Sequence, residues 1–462
     1  MRFLPFLKSV DSLVPKIALA ASTLAFLSTS ACHRERGMNI LLVTIDTLRA
    51  DHCSTYGYAR ETTPTLQGLS EQGARMALAY APTATTGPTH ASIMTSLYPL
   101  THGVVKNGMT LDDRFETLAE RLRAAGYRTE AVVSSFVLDA KFGYAQGFEA
   151  YDDDFDAAHA TVHRTEFDGH EVEGAFDQTA PRTTEKAGRV LARLAAGREP
   201  FFLFVHYFDP HAPYVPPFDV GDRFAAADAR DELARSIGAY DGEIAFADRE
   251  LSGLLDSLAR SGLERETLVV VTADHGEGLM QHGHMHHGVQ IYEEAVRVPL
   301  LFRLPGRIAA GRTFVEPVEL IDLLPTVFEL AGIRFPGPAQ GRSLAPALAG
   351  GAPLDPQREV YLHRRHYAPG EVGGIRVAGE QFGIRSGRWK YIEGDEEGTR
   401  ELYDLDHDPG ERVNLVESAP QTADAMRALV AAWKDAHRRD TAEPLELSPE
   451  DLERLKALGY VD

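Results

Sequence analysis

Acidic and imidazole side chains follow two apolar, β-prone runs of the chain. Asp46 comes directly after Asn39–Ile45, and Asp274 and His275 come shortly after Thr267–Thr272. Because the carboxyl ends of parallel strands meet at one edge of a sheet, we expect these three side chains to lie close together. Carboxylate oxygens and imidazole nitrogens are ligands for divalent cations. The pattern therefore predicts a metal site, with a helix cap as the alternative for a strand-end aspartate.

A hydroxyl stands at a predicted helix start in the sequence Thr86-Gly87-Pro88, where Pro88 suits the first turn. A hydroxyl in that position faces backbone N–H groups that attract anions. A metal ion lowers the pKa of a bound hydroxyl, so Thr86 is predicted both as a metal ligand and as a nucleophile. The alternative is that Thr86 is an ordinary N-cap.

Histidines are dense in two further segments. The sequence QHGHMHHG contains four of them, including His287, and they are either metal ligands or part of a solvent-exposed loop. The sequence FVHYFDPHAPY contains His206, Asp209 and His211. These side chains could hold a second metal or an anionic substrate, and a surface turn around Asp209 is the alternative.

Helices and strands alternate along the first three quarters of the chain. Helical spacing over Thr184–Leu194 precedes the apolar run Phe201–Val205, and Glu243–Leu258 precedes Thr267–Thr272. This order predicts an α/β fold with a mostly parallel sheet that is covered by helices on both faces.

A smaller unit is expected after the Gly- and Pro-rich region 332–356. Phe382–Ile392 and Arg400–Leu405 predict short strands, and Asp424–His437 predicts a helix. Ser448 and Pro449 predict the cap and first residue of a last short helix. We therefore expect a large domain at 39–345, a C-terminal subdomain with a short antiparallel sheet and a helix at 346–440, and a tail at 441–462.

The N-terminal segment has the pattern of a secretion signal. Basic residues precede the apolar stretch Ile17–Leu27, and small residues lead to Ala31 and Cys32. This pattern predicts a signal peptide at residues 1–31, and the surroundings of Cys32 resemble a site of bacterial lipidation. We expect an exported protein, periplasmic or attached to the outer membrane as a lipoprotein; a retained membrane anchor is the alternative.

Composition and charge limit the class of partner. The chain has 462 residues and a net charge of −21, and 44% of its residues are hydrophobic. The composition is typical of a soluble globular protein, and the length fits one large domain with a small partner. The negative charge argues against nucleic acid, because phosphate backbones are bound by clustered Lys and Arg.

Five sequence blocks follow one another along the chain: LLVTIDTLRADHCSTYGY; GPTHASIMTSLYPLTHG; FLFVHYFDPHAPYVPP; VVVTADHGEGLMQHG with YEEAVRVPLLFRLPG; and GIRSGRWKYI with ELYDLDHDPGERVNL. In this order, and over roughly Asn39–Leu415, the chain resembles the sulfatase branch of the alkaline phosphatase superfamily. The resemblance implies an alkaline-phosphatase-like fold, a catalytic domain at 39–345, and an ester hydrolase. It also implies that Asp46, Asp274 and His275 bind a divalent metal, which is Ca²⁺, Mg²⁺, Mn²⁺ or Zn²⁺.

The chain departs from the sulfatase pattern at the nucleophile. Sulfatases carry Cys or Ser there, which becomes formylglycine, with Pro two residues and Arg four residues later. Here Thr86 takes the nucleophile position, Pro88 is kept, and His90 replaces the Arg, so no formylglycine is expected. Thr47 replaces a metal-binding Asp, and His287 stands where the family often has a Lys.

This departure predicts a preference in chemistry. The second hydroxyl of formylglycine hydrate can expel sulfate without attack on sulfur, but the ester of a threonine must be cleaved by water attacking the central atom. Thr86 therefore favours phosphoryl over sulfuryl transfer. We expect a hydrolase of small, carbohydrate-linked or lipid-linked sulfate or phosphate esters, in which His90, His211 and His287 contact non-bridging oxygens or protonate the leaving group.

Two other functions remain open at this point. One is transfer of a phosphorylated alcohol to a cell-envelope acceptor, as threonine-using relatives do. The other is a catalytically silent binding lipoprotein that has kept the fold. The three potential ligands at strand ends, Asp46, Asp274 and His275, argue against a silent protein, because a site without chemistry has no need of them.

Overall fold

The computed structural model describes residues 37–155, 163–167, 170–174, 177–226, 228, 230–335, 337–437 and 447–457. The predicted signal peptide at 1–31 and Cys32 lie outside these residues, as do 441–446 and 458–462 of the predicted tail. Of the helices in the described ranges, none is long and apolar enough to cross a membrane.

Strands and helices alternate along most of the described chain. The strands are β1 (Asn39–Ile45), β2 (Ala74–Tyr80), β3 (Arg128–Val132), β4 (Ala150–Asp152), β5 (His163–Phe167), β6 (His170–Gly174), β7 (Phe201–Tyr207), β8 (Thr267–Ala273), β9 (Arg297–Arg303), β10 (Arg312–Glu319), β11 (Val360–Val372), β12 (Ile375–Ser386), β13 (Trp389–Gly394) and β14 (Arg400–Asp404). The α-helices are α1 (Pro64–Gln72), α2 (Thr86–Thr95), α3 (Pro99–His102), α4 (Leu118–Ala124), α5 (Ala180–Ala195), α6 (Phe218–Gly221), α7 (Glu232–Arg260), α8 (Glu293–Val296), α9 (Leu323–Ala331), α10 (Ala345–Leu348), α11 (Pro420–His437) and α12 (Pro449–Ala457). Short 3₁₀ helices lie at Ala50–His52, Ser54–Tyr56, Phe136–Leu138, Ala140–Phe142, Asp222–Phe224, Glu264–Glu266 and Leu320–Asp322.

The central sheet has eight strands in the order β10-β2-β9-β8-β1-β7-β3-β4. Its pairs are parallel except β2 with β9 and β8 with β9. Every residue of β1, β7 and β8 is buried, so both faces of the middle of the sheet are covered. The predicted α/β fold with a mostly parallel sheet is confirmed.

Helix α2 begins where the chain leaves the sheet after β2. Thr85 precedes the helix in an extended conformation, with φ −149° and ψ 130°, and all ten residues of α2 are buried. A helix that is buried on all sides needs no apolar stripe, and this burial places the first turn of α2 inside the molecule. The helix start predicted at Thr86 is confirmed.

A second sheet follows in the chain. Strands β11 to β14 pair in sequence order and antiparallel, and α11 packs on β12 and β13 through Met426, Val430 and Trp433. The predicted short antiparallel sheet with a helix is confirmed, whereas the division of the chain between residues 345 and 346 stays a prediction. The last helix starts as predicted, because Ser448 Oγ accepts a hydrogen bond from the Asp451 N–H at 3.1 Å.

Candidate metal and nucleophile site

The register of the central sheet brings two carboxylates together. Strands β1 and β8 are parallel neighbours with Ile45 opposite Ala273. Asp46 and Asp274 directly follow these two strand ends and therefore lie side by side. Both side chains are fully buried. Asp274 Oδ1 accepts hydrogen bonds from the backbone N–H of Thr47 at 3.2 Å and of His275 at 2.9 Å. These bonds fix the carboxylate at the sheet edge.

The remaining carboxylate oxygens of this pair have no hydrogen-bond partner among the described residues. They are both oxygens of Asp46 and Oδ2 of Asp274. Burial, and next the negative charge of Asp274, raise the pKa of Asp46 well above its ordinary value. Because buried carboxylates without partners are costly, this arrangement fits a bound cation.

His275 completes a set of three potential ligands. Its Nδ1–H donates to the carbonyl of Gly276 at 2.9 Å, which leaves the lone pair on Nε2. Nε2 lies 3.7 Å from Asp46 Oδ1 and 3.5 Å from Asp274 Oδ2. A histidine whose other nitrogen donates to a carbonyl is typical of metal-binding imidazoles. The ligand atoms of Asp46, Asp274 and His275 lie within 4.8 Å of one another, so these residues suit a divalent ion.

Thr86 lies against this set. Its Oγ1 is 3.1 Å from His275 Nε2, and the residue is fully buried. Thr86 is the first residue of α2, while Thr85 holds the N-cap position. The alternative of an ordinary N-cap therefore does not describe Thr86, whose hydroxyl points to the predicted metal ligands.

His90 stands one turn further along α2. Its Nδ1–H donates to the Thr86 carbonyl at 2.8 Å, and its Nε2 accepts from the Thr44 hydroxyl at 3.0 Å. Burial lowers the pKa of His90, so the ring is neutral. These two bonds orient the first turn of α2, and a contact of His90 with substrate stays a prediction.

His211 and His287 lie beside His275. The His287 ring centre is 4.4 Å from that of His275 and 5.1 Å from that of His211. Burial, and next His287, lower the pKa of His211 to about 3, and burial lowers that of His287. The structure thus brings two neutral imidazoles to the predicted site, and their catalytic roles stay predictions.

Glu277 is a site residue that the sequence analysis missed. It is fully buried, accepts the His287 Nδ1–H at 3.2 Å, and accepts the Tyr214 hydroxyl at 2.9 Å. Burial alone would raise the pKa of Glu277, but His287 and other nearby imidazoles lower it to about 2. The sequence did contain a signal for Glu277, because this carboxylate follows the predicted metal ligand His275 by two residues.

His206 was one of several candidates in the sequence, and the structure places it next to Asp46. Its Nε2 lies 3.4 Å from Asp46 Oδ2, and among the described residues neither ring nitrogen has a hydrogen-bond partner. His206, His90 and Asp274 form a second group of ligand atoms within 4.8 Å of one another. Asp209, by contrast, accepts the backbone N–H of Ala180 at 2.8 Å.

Two polar side chains, Asn107 and Tyr144, approach the first turn of α2 from two other segments of the chain. Asn107 Oδ1 accepts the Gly87 N–H at 2.8 Å, and its buried Nδ2 has no hydrogen-bond partner among the described residues. A Cβ on Gly87 would lie 2.8 Å from the Tyr144 hydroxyl and 2.9 Å from Asn107 Oδ1. Residue 87 must therefore be glycine for this approach. No sequence signal linked Asn107 or Tyr144 to Thr86.

Comparison with known proteins places the chain in a family. The family model Sulfatase matches residues 38–333, and the model N-sulphoglucosamine sulphohydrolase, C-terminal, matches residues 281–438. The chain is 25% identical to a choline-sulfatase of Rhizobium meliloti over 459 residues, which cover 86% of this chain and 85% of that protein. It is 26% identical to the multifunctional alkaline phosphatase superfamily protein PehA of Trinickia caryophylli over 510 residues, covering 90% and 98% of the two chains.

The solved structures show the same architecture. The phosphonate monoester hydrolase of Agrobacterium radiobacter superposes with a TM-score of 0.72 and 23% identity, covering 89% of this chain and 98% of that one. The resemblance drawn from the five sequence blocks is confirmed, and the Sulfatase model spans more than half of the chain. The protein therefore belongs to the sulfatase family and is a hydrolase of ester bonds.

Proposed function

We propose that this ester hydrolase is metal-dependent, that Thr86 is its nucleophile, and that it cleaves phosphate esters more readily than sulfate esters. The observation that carries the proposal is the contact of Thr86 Oγ1 with His275 Nε2 at 3.1 Å. Beside that contact lie the buried carboxylate oxygens of Asp46 and Asp274 that have no hydrogen-bond partner in the described part of the chain.

The donor set supports a transition metal. Asp46, Asp274 and His275 would hold the ion, with Thr86 Oγ1 and His206 next to them. Ca²⁺ prefers six to eight oxygen ligands, whereas imidazole nitrogens suit Zn²⁺ and other first-row metals. A divalent cation held there would lower the pKa of a hydroxyl and polarise the ester oxygens. We infer Zn²⁺ or Mn²⁺ as the resident ion.

Thr86 would attack the central atom of the ester from the start of α2. The Asn107 Nδ2 group is a donor for a non-bridging oxygen of the substrate. Attack forms a threonine ester and releases the alcohol. Because Thr86 has a single hydroxyl, water must then attack the central atom, which favours phosphorus over sulfur.

His287 would serve the second step. Its Nδ1–H donates to Glu277, so its Nε2 carries the lone pair, and its lowered pKa keeps it neutral. A neutral, oriented imidazole can take the proton from the water that cleaves the Thr86 ester. Glu277 acts on the reaction only through His287 and is thus a positioning residue.

The cellular location is a separate proposal. We infer export to the periplasm or outer membrane, with lipidation of Cys32, from the pattern of residues 1–32. Cell fractionation of the protein and of Cys32→Ala is the test. Release of the variant from the membrane fraction is expected, and an unchanged distribution of a variant that has lost residues 1–31 would contradict lipidation.

The function is tested by removing bound metal and adding back Zn²⁺, Mn²⁺, Mg²⁺ or Ca²⁺ separately. Hydrolysis of an aryl phosphate, an aryl phosphodiester and an aryl sulfate is then compared for the protein, Thr86→Ala and Thr85→Ala. Thr85→Ala is the matched control, because the Thr85 side chain makes no cap hydrogen bond. We expect Zn²⁺- or Mn²⁺-dependent phosphoester turnover that only Thr86→Ala abolishes. Sulfate turnover that survives Thr86→Ala would contradict the proposal.

A further inference from the structure

The last described helix of the chain packs against the segment that supports the nucleophile. Leu455 of α12 is fully buried, although α12 is a short helix near the end of the chain. A Cβ on Gly108 would lie 2.7 Å from Leu455 Cδ1, so the leucine methyl rests directly on the Gly108 backbone. Gly108 has φ +80°, a conformation that glycine adopts without strain.

Only two residues separate that contact from Thr86. Gly108 follows Asn107, whose Oδ1 accepts the N–H of Gly87 at 2.8 Å, and Gly87 follows Thr86. Asn107 is 4% exposed, and its Nδ2 has no partner among the described residues. Displacement of the Gly108 backbone would therefore move the side chain that fixes the first turn of α2.

Helix α12 has a second contact with the same side of the site. Asp451 pairs with Lys141 at 2.7 Å, and the Arg454 guanidinium lies 5.2 Å from the centre of the Phe136 ring. The Lys141 segment continues to Tyr144, whose hydroxyl approaches Gly87. It is also tied to the Asn107 segment, because the Leu111 N–H donates to the Phe142 carbonyl at 3.0 Å.

We propose that α12 belongs to the framework of the active site and that Leu455 is a positioning residue for the nucleophile. By packing on Gly108, Leu455 keeps Asn107 in its hydrogen bond with Gly87 and so keeps the Thr86 hydroxyl in place. The catalytic consequence rests on the proposed role of Thr86. The structural consequence, a weaker hydrogen bond at Gly87, does not.

Loss of the Leu455 side chain would leave a cavity against a glycine turn, and such a site relaxes by moving backbone into the space. The test compares Leu455→Ala with Leu452→Ala in the full chain. Leu452 lies on the same helix and is 36% exposed, so the same substitution there removes no contact with Gly108. Asp451→Asn weakens the attachment of α12 without opening a cavity and serves if Leu455→Ala does not fold.

Two quantities are measured. The first is deuterium uptake by a peptide that covers the start of α2, which reports on the Gly87 N–H. The second is kcat/KM for the best aryl ester in four proteins: the unmodified protein, Leu455→Ala, Asn107→Ala and the double variant. We expect faster uptake at the start of α2 in Leu455→Ala and a loss of kcat/KM of about tenfold, borne mainly by kcat.

The double variant separates positioning from a general loss of stability. If Leu455 acts through Asn107, Leu455→Ala costs nothing further once Asn107 is alanine. Losses that add in the double variant, or uptake equal to that of Leu452→Ala, would overturn the inference. If the unmodified protein cleaves no ester, the proposed function fails. The uptake measurement still tests whether packing of α12 on Gly108 stabilises the start of α2.

Discussion

Two pairs of buried carboxylates in this molecule differ in whether the chain places an arginine next to them. Glu319 and Asp322 lie next to Arg358, which donates from Nη2 to Glu319 at 2.9 Å and to Asp322 at 2.7 Å. Asp46 and Asp274 are as deeply buried, but among the described residues only imidazoles, and no Lys or Arg, form ion-pair contacts with them. One pair has its cation in the chain, and the other does not.

The difference separates a pair that has an arginine partner from a pair that fits a bound cation. A guanidinium that satisfies two carboxylates holds an element in place and leaves nothing for a ligand. Among the residues that the structure describes, three oxygens of Asp46 and Asp274 have no hydrogen-bond partner, and His275, which contacts Thr86, lies next to them. One buried acidic pair lies against Arg358, and among the described residues the other has only imidazoles beside it, an arrangement that fits a bound cation.

Replacement of Asp274 should have the largest effect on activity. Asp274→Asn is expected to lower kcat/KM by at least about 10³-fold and to abolish tight metal binding, because the ion loses a charged ligand. Enzyme assays and metal analysis of the purified variant measure both. Asp322→Asn, at an equally buried aspartate of the paired cluster, should lose stability and keep its metal. Equal metal content in the two variants would contradict a metal site at Asp274.

Replacement of Arg358, the partner of Glu319 and Asp322, should lower the stability of the fold. Arg358→Met is expected to lower the free energy of unfolding by about 3–5 kcal/mol, because Glu319 and Asp322 are left buried without their cation. Denaturant titration measures the change. Arg388→Met is the control, since Arg388 is 46% exposed and forms an ion pair with Asp404, at 3.5 Å, that contributes little. A change as small as that of Arg388→Met would contradict the structural role of Arg358.

Glu277 provides a third buried carboxylate, one that His287 satisfies. Its pKa of about 2 is below the value of an unfolded chain, so its stabilisation is fully present above about pH 4.5 and is lost as the pH falls through 2. Glu277→Gln should lower the free energy of unfolding at pH 7 by at most about 3 kcal/mol and flatten its decline between these pH values. Glu61→Gln, at a glutamate that is 75% exposed, should change neither. The same acid unfolding curve for Glu277→Gln and the unmodified protein would refute the assignment.

His206 should affect the choice of metal. His206→Asn is expected to weaken Zn²⁺ binding on the order of 10–100-fold and to weaken Mg²⁺ binding less, because imidazole is the softer ligand. Competition titration of the metal-free protein measures both affinities. His102→Asn is the matched control, since His102 is equally buried and bonds Ser92 at 2.9 Å and the Val104 N–H at 3.1 Å. Unchanged Zn²⁺ affinity in His206→Asn would exclude it from the metal centre.

The local parts of this site were predictable from the sequence. Asp46 and Asp274 follow continuous apolar runs, and Thr86 precedes a proline-marked helix start, so short segments carry the signal. The alternation of helices and strands gave the parallel sheet for the same reason. The assignment of these residues to one edge needed only the rule for ligand sites at the carboxyl ends of strands.

The parts that were not predicted depend on contacts between distant segments. Strand β9 contains Pro299 and runs antiparallel, and β11 is rich in polar residues, so neither has a clear strand pattern. The contacts of Asn107 with Gly87 and of Leu455 with Gly108 arise only from tertiary packing. The pairing of Glu277 with His287 depends on the loop between them, which no periodicity describes.

The central claim, that Thr86 is the nucleophile, is tested most directly by trapping the covalent intermediate. The metal-loaded protein is mixed with an aryl phosphate, quenched in acid and digested, and the peptide that spans Thr85 and Thr86 is analysed by mass spectrometry. A phosphoryl group on Thr86, absent from Thr86→Ala and from metal-free protein, is the expected result. Turnover of the substrate with no phosphoryl group on Thr86 at any quench time, and with full activity in Thr86→Ala, would contradict the account.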